Sequence, residues 1–348
     1  MTSIFNGVPM NTYELRQMLS RFPKAKLALH PTPLHPLERM REQLGCGPLF
    51  IKRDDLNGIG IGGNKVRNLE YLLGDAIARG KDSILVSGQT QSNLCALCAA
   101  CCRRLDLNCV IVHNNAKPDY TEGNALLNCI LGIDEIYLGG VSEEERISAV
   151  EKLAQDLEHK GHRPYIIYNG ASTSVGALGY VEAAAELLEQ IHRDDAFASI
   201  KSVCVPVGNG GLAAGFVYGT SLLGDPFHVE LISVEYEQDT MRKNILELLN
   251  GLEALCGIKM PCSLEETATL HSAYRFGGWG VIDPEVEDFN HKFARTEGIF
   301  VEKVYTGKAL YGTCDLAGKG YFEDGTCYLH SGGIGALFSQ YGGEVRNS

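Results

Sequence analysis

The feature that most constrains this chain is the alternation of short β-rich runs with helical stretches along most of its length. The pattern predicts strands at Leu49–Lys52, Ser83–Val86, Cys109–His113, Glu135–Leu138, Tyr165–Tyr168, Ser202–Val207, Glu230–Val234 and Thr326–His330. It predicts helices at Lys65–Arg79, Asn93–Leu105, Ser142–His159, Gly176–Gln190, Leu212–Leu222, Thr240–Leu255 and Pro284–Glu297. Alternation of this kind builds right-handed βαβ units and parallel sheets. Runs such as Ile84-Leu85-Val86 and Val203-Cys204-Val205 are apolar on both faces, as strands sandwiched between helices must be. Residues 1–30 read as a short helix and an extended arm. Pro31, Pro33 and Pro36 then mark an irregular turn before a helical stretch at Leu37–Leu44. With 348 residues, the chain can form about two domains and a core that needs no disulfide or metal staple.

In such folds ligands bind at the carboxyl ends of strands, so the strand-to-helix loops are where chemistry is sought. Gly58-Ile59-Gly60-Ile61-Gly62-Gly63-Asn64-Lys65 opens a helix, but its spacing does not match a dinucleotide fingerprint, and the chain has no P-loop. Lys65 falls in the first helical turn, where the dipole disfavours a cation. It reads either as a plain surface lysine or as an amine of lowered pKa poised for a Schiff base. Ser87-Gly88-Gln89-Thr90-Gln91-Ser92-Asn93 carries more polar residues than a helix cap needs. Val207-Gly208-Asn209-Gly210-Gly211-Leu212 exposes successive backbone N–H groups at a strand–helix junction and is the best phosphate site in the chain. Val304-Tyr305-Thr306-Gly307-Lys308 and His330-Ser331-Gly332-Gly333 are weaker signals of the same kind.

Composition narrows the function class. Lys and Arg total 31 against 43 Asp and Glu, a net charge of −12, which disfavours sequence-independent nucleic-acid binding. No apolar run is long enough to cross a membrane, and no secretory leader is evident, so a cytoplasmic protein with reduced thiols is expected. Glycine is in excess at 40 residues, and cysteine is frequent at 12. Cys95, Cys98, Cys101 and Cys102 fall on one predicted helix. A single helix cannot wrap four thiolates tetrahedrally, and no second ligand pair follows, so the expectation is core packing and no metal.

Taken together and in order, these segments resemble the aminocyclopropane-carboxylate deaminase and D-cysteine desulfhydrase family, whose members are pyridoxal-phosphate enzymes. The resemblance runs from about Arg21 to Tyr341. It is carried by Pro31-Thr32-Pro33-Leu34, Lys52-Arg53-Asp54-Asp55, Gly62-Gly63-Asn64-Lys65 with Arg67 and Leu69-Glu70, and Gln91-Ser92-Asn93. Gly176-Ala177-Leu178-Gly179-Tyr180, Val304-Tyr305-Thr306-Gly307-Lys308 and Gly332-Gly333 complete it. It implies a tryptophan-synthase β-like α/β fold of two open, twisted, mostly parallel sheets in three layers. A smaller domain (66–178) would be inserted into a larger one (1–65 and 179–348), with the cofactor between them. The resemblance also implies a homodimer.

By the same resemblance, Lys65 is the Schiff-base lysine, and Ser92 approaches the cofactor from the opposite face. Asn93 would bond the cofactor's phenolic oxygen, Gln91 to Asn93 would receive the substrate carboxylate, and Gly208, Asn209, Gly210, Gly211 and Leu212 would hold the phosphate. Tyr305 corresponds to an active-site tyrosine. Thr306 stands where the cyclopropane deaminases have Glu and the desulfhydrases Thr. Ser331 stands where desulfhydrases have Thr near the pyridine nitrogen. A neutral hydroxyl there leaves the ring unprotonated and favours β-elimination.

Three positions depart from the pattern. Trp279, within Phe276-Gly277-Gly278-Trp279-Gly280, replaces a second substrate-side tyrosine; Leu94 replaces a histidine; Leu212 replaces a hydroxyl residue. The implied reaction is β-elimination and deamination of a small, D-cysteine-like amino acid to a 2-oxo acid, ammonia and the leaving group. The substrate amine would displace Lys65, whose freed amine takes the Cα proton, with Ser92 or Tyr305 assisting proton transfer. The alternatives are a sulfo-lyase or other lyase of a β-substituted amino acid, cyclopropane ring opening, and a catalytically drifted homologue.

Overall fold

The structure is a computed structural model and describes residues 9–341. Its strands are β1 (Leu34–Pro36), β2 (Leu49–Arg53), β3 (Ser83–Gly88), β4 (Asn108–His113), β5 (Asp134–Tyr137), β6 (Pro164–Ile167), β7 (Ile200–Val207), β8 (His228–Ser233), β9 (Ala268–His271) and β10 (Gly325–His330). The helices up to the middle of the chain are α1 (Thr12–Leu19), α2 (Glu38–Leu44), α3 (Lys65–Ala78), α4 (Asn93–Arg104), α5 (Gly123–Ile130), α6 (Glu143–His159) and α7 (Ser174–Arg193). Beyond it come α8 (Gly211–Leu222), α9 (Gln238–Cys256), α10 (Leu264–Thr267), α11 (Pro284–Glu297), α12 (Thr306–Gly318) and α13 (Ile334–Gln340). Every strand and helix expected from the alternation is present, with ends shifted by three residues at most.

The strands form two sheets. A six-stranded sheet runs β1-β2-β10-β7-β8-β9, and a four-stranded sheet runs β5-β4-β3-β6. All neighbours pair in parallel except β1 with β2. Both sheets are covered on both faces, as their doubly apolar strands require. On the large sheet, Ala177, Val181, Phe216 and Ile245 of α7, α8 and α9 fill one side. Leu37, Met40, Phe293 and Leu310 fill the other. On the small sheet, α3 and α4 pack one face and Val150 and Ala154 of α6 the other. Ala25, Leu27 and Ile59, from ahead of residue 66, also join the α3–α4 core.

A buried polar bracket fixes α3 against α7. Arg67 is 1% exposed and grips Asp54 at 2.7 and 2.8 Å and Glu186 at 2.9 Å. Lys52 adds a bond to Glu186 at 2.5 Å, and the Tyr180 hydroxyl donates to Asp54 at 2.7 Å. The helices can approach this closely because position 179 is glycine; a Cβ there would stand 2.2 Å from the Arg67 carbonyl oxygen. Buried charges are tolerable only when paired and hydrogen-bonded, as all of these are. Because Arg67 lies two residues after Lys65, the bracket also sets where α3 begins.

Candidate active site

Lys65 is the first residue of α3. Its Nζ donates to the carbonyl of Gly170 at 2.6 Å. Burial lowers its pKa to about 8, with the Glu235 carboxylate opposing the shift. Desolvation penalises the charged form, and the helix dipole acts in the same direction. The amine therefore lies within reach of its neutral, nucleophilic form.

From Lys65 the contacts pass through the ends of β6, β7, β8 and β10. Gly170, in the turn after β6, has φ 62. A Cβ at Gly170 would stand 2.8 Å from Asn209 Nδ2, so glycine is what lets these loops meet beside the amine. Past Asn209, Gly210 has φ 89 and forms the N-cap of the twelve-residue α8, with no side chain capping it. The Gly211 N–H reaches Ser172 Oγ at 3.3 Å. The first-turn N–H groups and the positive end of the dipole suit an anion. Leu212 is 6% exposed and packs into the large core, so its side chain serves packing.

Position 208 joins three groups. A Cβ there would stand 3.0 Å from Tyr305 Cε2 and 3.1 Å from Glu235 Oε2. Burial and the Glu235 charge push the Tyr305 phenol far above its ordinary range, so it stays protonated and able to donate. Burial also raises the Glu235 carboxyl, against the pull of Lys65.

The start of α12 is organised by Glu302, which is 2% exposed. Its carboxylate accepts from the backbone N–H of Val304, Tyr305 and Thr306 at 2.8, 2.6 and 2.5 Å. Thr306 Oγ1 in turn accepts from the Glu302 N–H at 3.1 Å, so the Thr306 hydroxyl is tied into this turn. Glu302 also lies against Gly333, where a Cβ would stand 2.5 Å from its Cγ. Ser331, buried at the end of β10, accepts from the Asn64 N–H through its carbonyl at 2.8 Å. The loops carrying Lys65, Tyr305, Thr306 and Ser331 are thus in direct or once-removed contact.

The polar loop after β3 forms a second group. Ser92 is the N-cap of α4, its Oγ accepting from the Cys95 N–H at 3.3 Å. Asn93 Oδ1 accepts from Asn124 Nδ2 at 2.8 Å. The Gln91 side chain is used on both ends: Oε1 accepts from Asn124 N at 2.9 Å, and Nε2 donates to Glu122 O at 3.1 Å. Its amide therefore pins the start of α5. This group is joined to the first through α4, whose Leu97 would meet a Cβ at Gly63 at 3.2 Å. Trp279 is half exposed, on a loop whose Arg275 and Gly278 carbonyls accept from Lys308 Nζ at 2.8 and 2.7 Å.

Sequence reasoning missed Gly170, Glu235 and Glu302. Gly170 and Glu235 follow the ends of β6 and β8, the positions where such folds gather ligands, and that placement was the available signal.

A family model described as pyridoxal-phosphate-dependent enzyme matches residues 25–332. The chain belongs to this family. A Pyrococcus horikoshii protein, provisionally named 1-aminocyclopropane-1-carboxylate deaminase, is 34% identical over 328 residues, covering 94% of this chain and 97% of its own. A D-cysteine desulfhydrase of Yersinia pestis is 33% identical over 334 residues, covering 94% and 98%. A solved structure, an ACC deaminase homologue, superimposes with TM-score 0.85 at 34% identity, covering 94% of this chain and 97% of that one. The resemblance read from sequence, the two-sheet α/β fold and the cofactor class all stand. The residues fit the cofactor: Lys65 offers a carbonyl-reactive amine, and the start of α8, whose N-cap Gly210 has no side chain, turns first-turn N–H groups toward an anion.

Proposed function

We propose that this enzyme eliminates a β-substituent from a small amino acid and releases a 2-oxo acid and ammonia. The reading draws on the relatives named as D-cysteine desulfhydrase and aminocyclopropane-carboxylate deaminase. Pyridoxal phosphate, when bound, draws electrons from the substrate Cα. Lys65 would hold the cofactor carbonyl and later take the Cα proton. Gly208 to Leu212 would hold the phosphate through backbone N–H groups, with Asn209 beside Lys65. The backbone of Gln91 to Asn93, at the N-terminus of α4, would receive the substrate carboxylate. Ser92 or the protonated Tyr305 would pass a proton to the departing group.

The observation that carries elimination over ring opening is the neutral hydroxyl at Thr306 together with the engagement of the carboxylate beside it. Glu302 already accepts three backbone N–H bonds, so its charge is spent on the turn. Ser331 would leave the ring nitrogen without a proton source of its own, which favours elimination. Trp279 would border the substrate and change its range. The same reading includes a cytoplasmic homodimer, and a division into a larger unit (1–65 and 179–348) and a smaller one (66–178).

The test is 2-oxo acid release from D- and L-cysteine, cysteate, β-chloroalanine, serine and aminocyclopropane-carboxylate. Release from a β-substituted amino acid, lost in Lys65→Ala, is expected. Release from aminocyclopropane-carboxylate alone would overturn the reading.

A further inference from the structure

Outside the active site, the densest group of reactive side chains lies in the core behind α4. Cys98 and Cys102 sit four residues apart on α4 and so share one helix face. That face meets Cys109, in β4. The three sulfurs all lie within 4.8 Å of one another, and Cys98 and Cys102 are 3.9 Å apart. Cys98 and Cys102 are fully buried, and Cys109 is 7% exposed.

This spacing has a chemical meaning. A sulfur–sulfur bond is about 2.05 Å, so the thiols are unbonded. A metal–thiolate bond is about 2.3 Å, and three thiolates in a trigonal plane around one ion then stand about 4.0 Å apart. The observed spacing approaches that value without rearrangement of the helix. Among the described residues no fourth Cys, His, Asp or Glu joins the group. Three soft sulfurs with no oxygen or nitrogen partner disfavour Mg and Ca, and the missing fourth ligand disfavours a structural zinc site. Soft, closed-shell ions that accept three sulfurs remain.

We propose that Cys98, Cys102 and Cys109 form a trigonal thiolate site for a thiophilic d10 ion such as Cu(I) or Cd(II). Helix α4 supplies only two of these ligands, and the third comes from the neighbouring strand, β4. Each thiol that becomes a ligand releases its proton to solvent, and the ion's oxidation state is unchanged. Cys109, the ligand with some exposure, marks the way in. The ion ties α4 to β4, and α4 begins at Ser92 and Asn93, so occupancy stiffens the helix that carries these candidate substrate contacts.

The test uses the full-length holoenzyme carrying Cys129→Ser, which removes an exposed thiol, kept reduced with a phosphine. It is titrated with Cu(I) against a chromophoric Cu(I) chelator and, separately, with Cd(II). Expected are one retained ion per chain, metal–thiolate charge-transfer absorption and a rise in Tm. Cys109→Ala loses all three, and Cys101→Ala keeps them. X-ray absorption on the loaded protein shows three sulfurs and no nitrogen or oxygen, which decides the matter even if Cys109→Ala fails to fold. Retention of either ion at three sulfurs supports the site. Retention of neither ion, a two-sulfur shell, or equal binding by folded Cys109→Ala overturns it.

Discussion

Replacing Glu235 by Gln tests how the site prepares its amine. Burial lowers Lys65 from 10.5 to about 8 while Glu235 pulls the other way. That lowering corresponds to roughly 3 kcal/mol against the ammonium form. At pH 7 it leaves about 10% of Lys65 as free amine, against about 0.03% for an ordinary lysine, a gain of roughly 300-fold. Glu235→Gln removes the opposing charge and leaves the burial, so the Lys65 pKa falls below about 8 and the amine fraction at pH 7 rises. The assay is the rate at which cofactor-stripped protein captures pyridoxal phosphate, followed by visible absorbance across the pH range. The cofactor's own phosphate acts on both proteins, so the difference between them is what counts. The wild-type rate should rise with pH through a midpoint near 8, and the variant's midpoint should lie lower. An unmoved or higher midpoint in Glu235→Gln would refute the electrostatic argument.

Four further outcomes are expected. In Gly211→Ala the new Cβ would stand 2.8 Å from Ser172 Cα; the α8 N-terminus must shift, and cofactor affinity measured by fluorescence titration should fall. Arg67→Met leaves Asp54 and Glu186 buried without their main partner and should cost about 3–5 kcal/mol in urea unfolding. Arg67, His30 and Lys52 hold Glu186 well below 4.5 against its burial; the stability this gives is present above the ordinary carboxylate range and is lost as pH falls below it, a slope Glu186→Gln should flatten. Trp279→Tyr, at a half-exposed position, should leave Tm unchanged and alter the relative turnover of D-cysteine; an unaltered substrate profile would remove Trp279 from the pocket.

Much of the fold was legible because the buried parallel strands are continuous apolar runs and the helices between them are long. The missing strands are short and lie at the two edges of the large sheet. β1 is three residues long and ends at Pro36, so its prolines read as a turn. β9 is a four-residue edge strand directly behind the short α10. The start of α12 was hidden because Tyr305 and Thr306 carry no cap of their own; Glu302, four residues before Thr306, supplies it. Lys65, the α8 glycines and Ser331 were legible from their place after strands. Gly170 shares that placement after β6 but was passed over, since a lone glycine carries no chemical signature beyond it and its role lies in the carbonyl it aims at Lys65. The Gln91 side chain was legible as polar but not as a spacer holding α5, because its partners Glu122 and Asn124 are about thirty residues away.

The central claim is that Lys65 is the residue that bonds the cofactor. The most direct measurement is borohydride reduction of the purified yellow protein, followed by proteolysis and mass spectrometry of the labelled peptide. The account expects one phosphopyridoxyl group per chain, on Lys65, and a colourless Lys65→Ala protein that takes no label. Label on another lysine, or a wild-type protein that stays colourless with added pyridoxal phosphate, would contradict it.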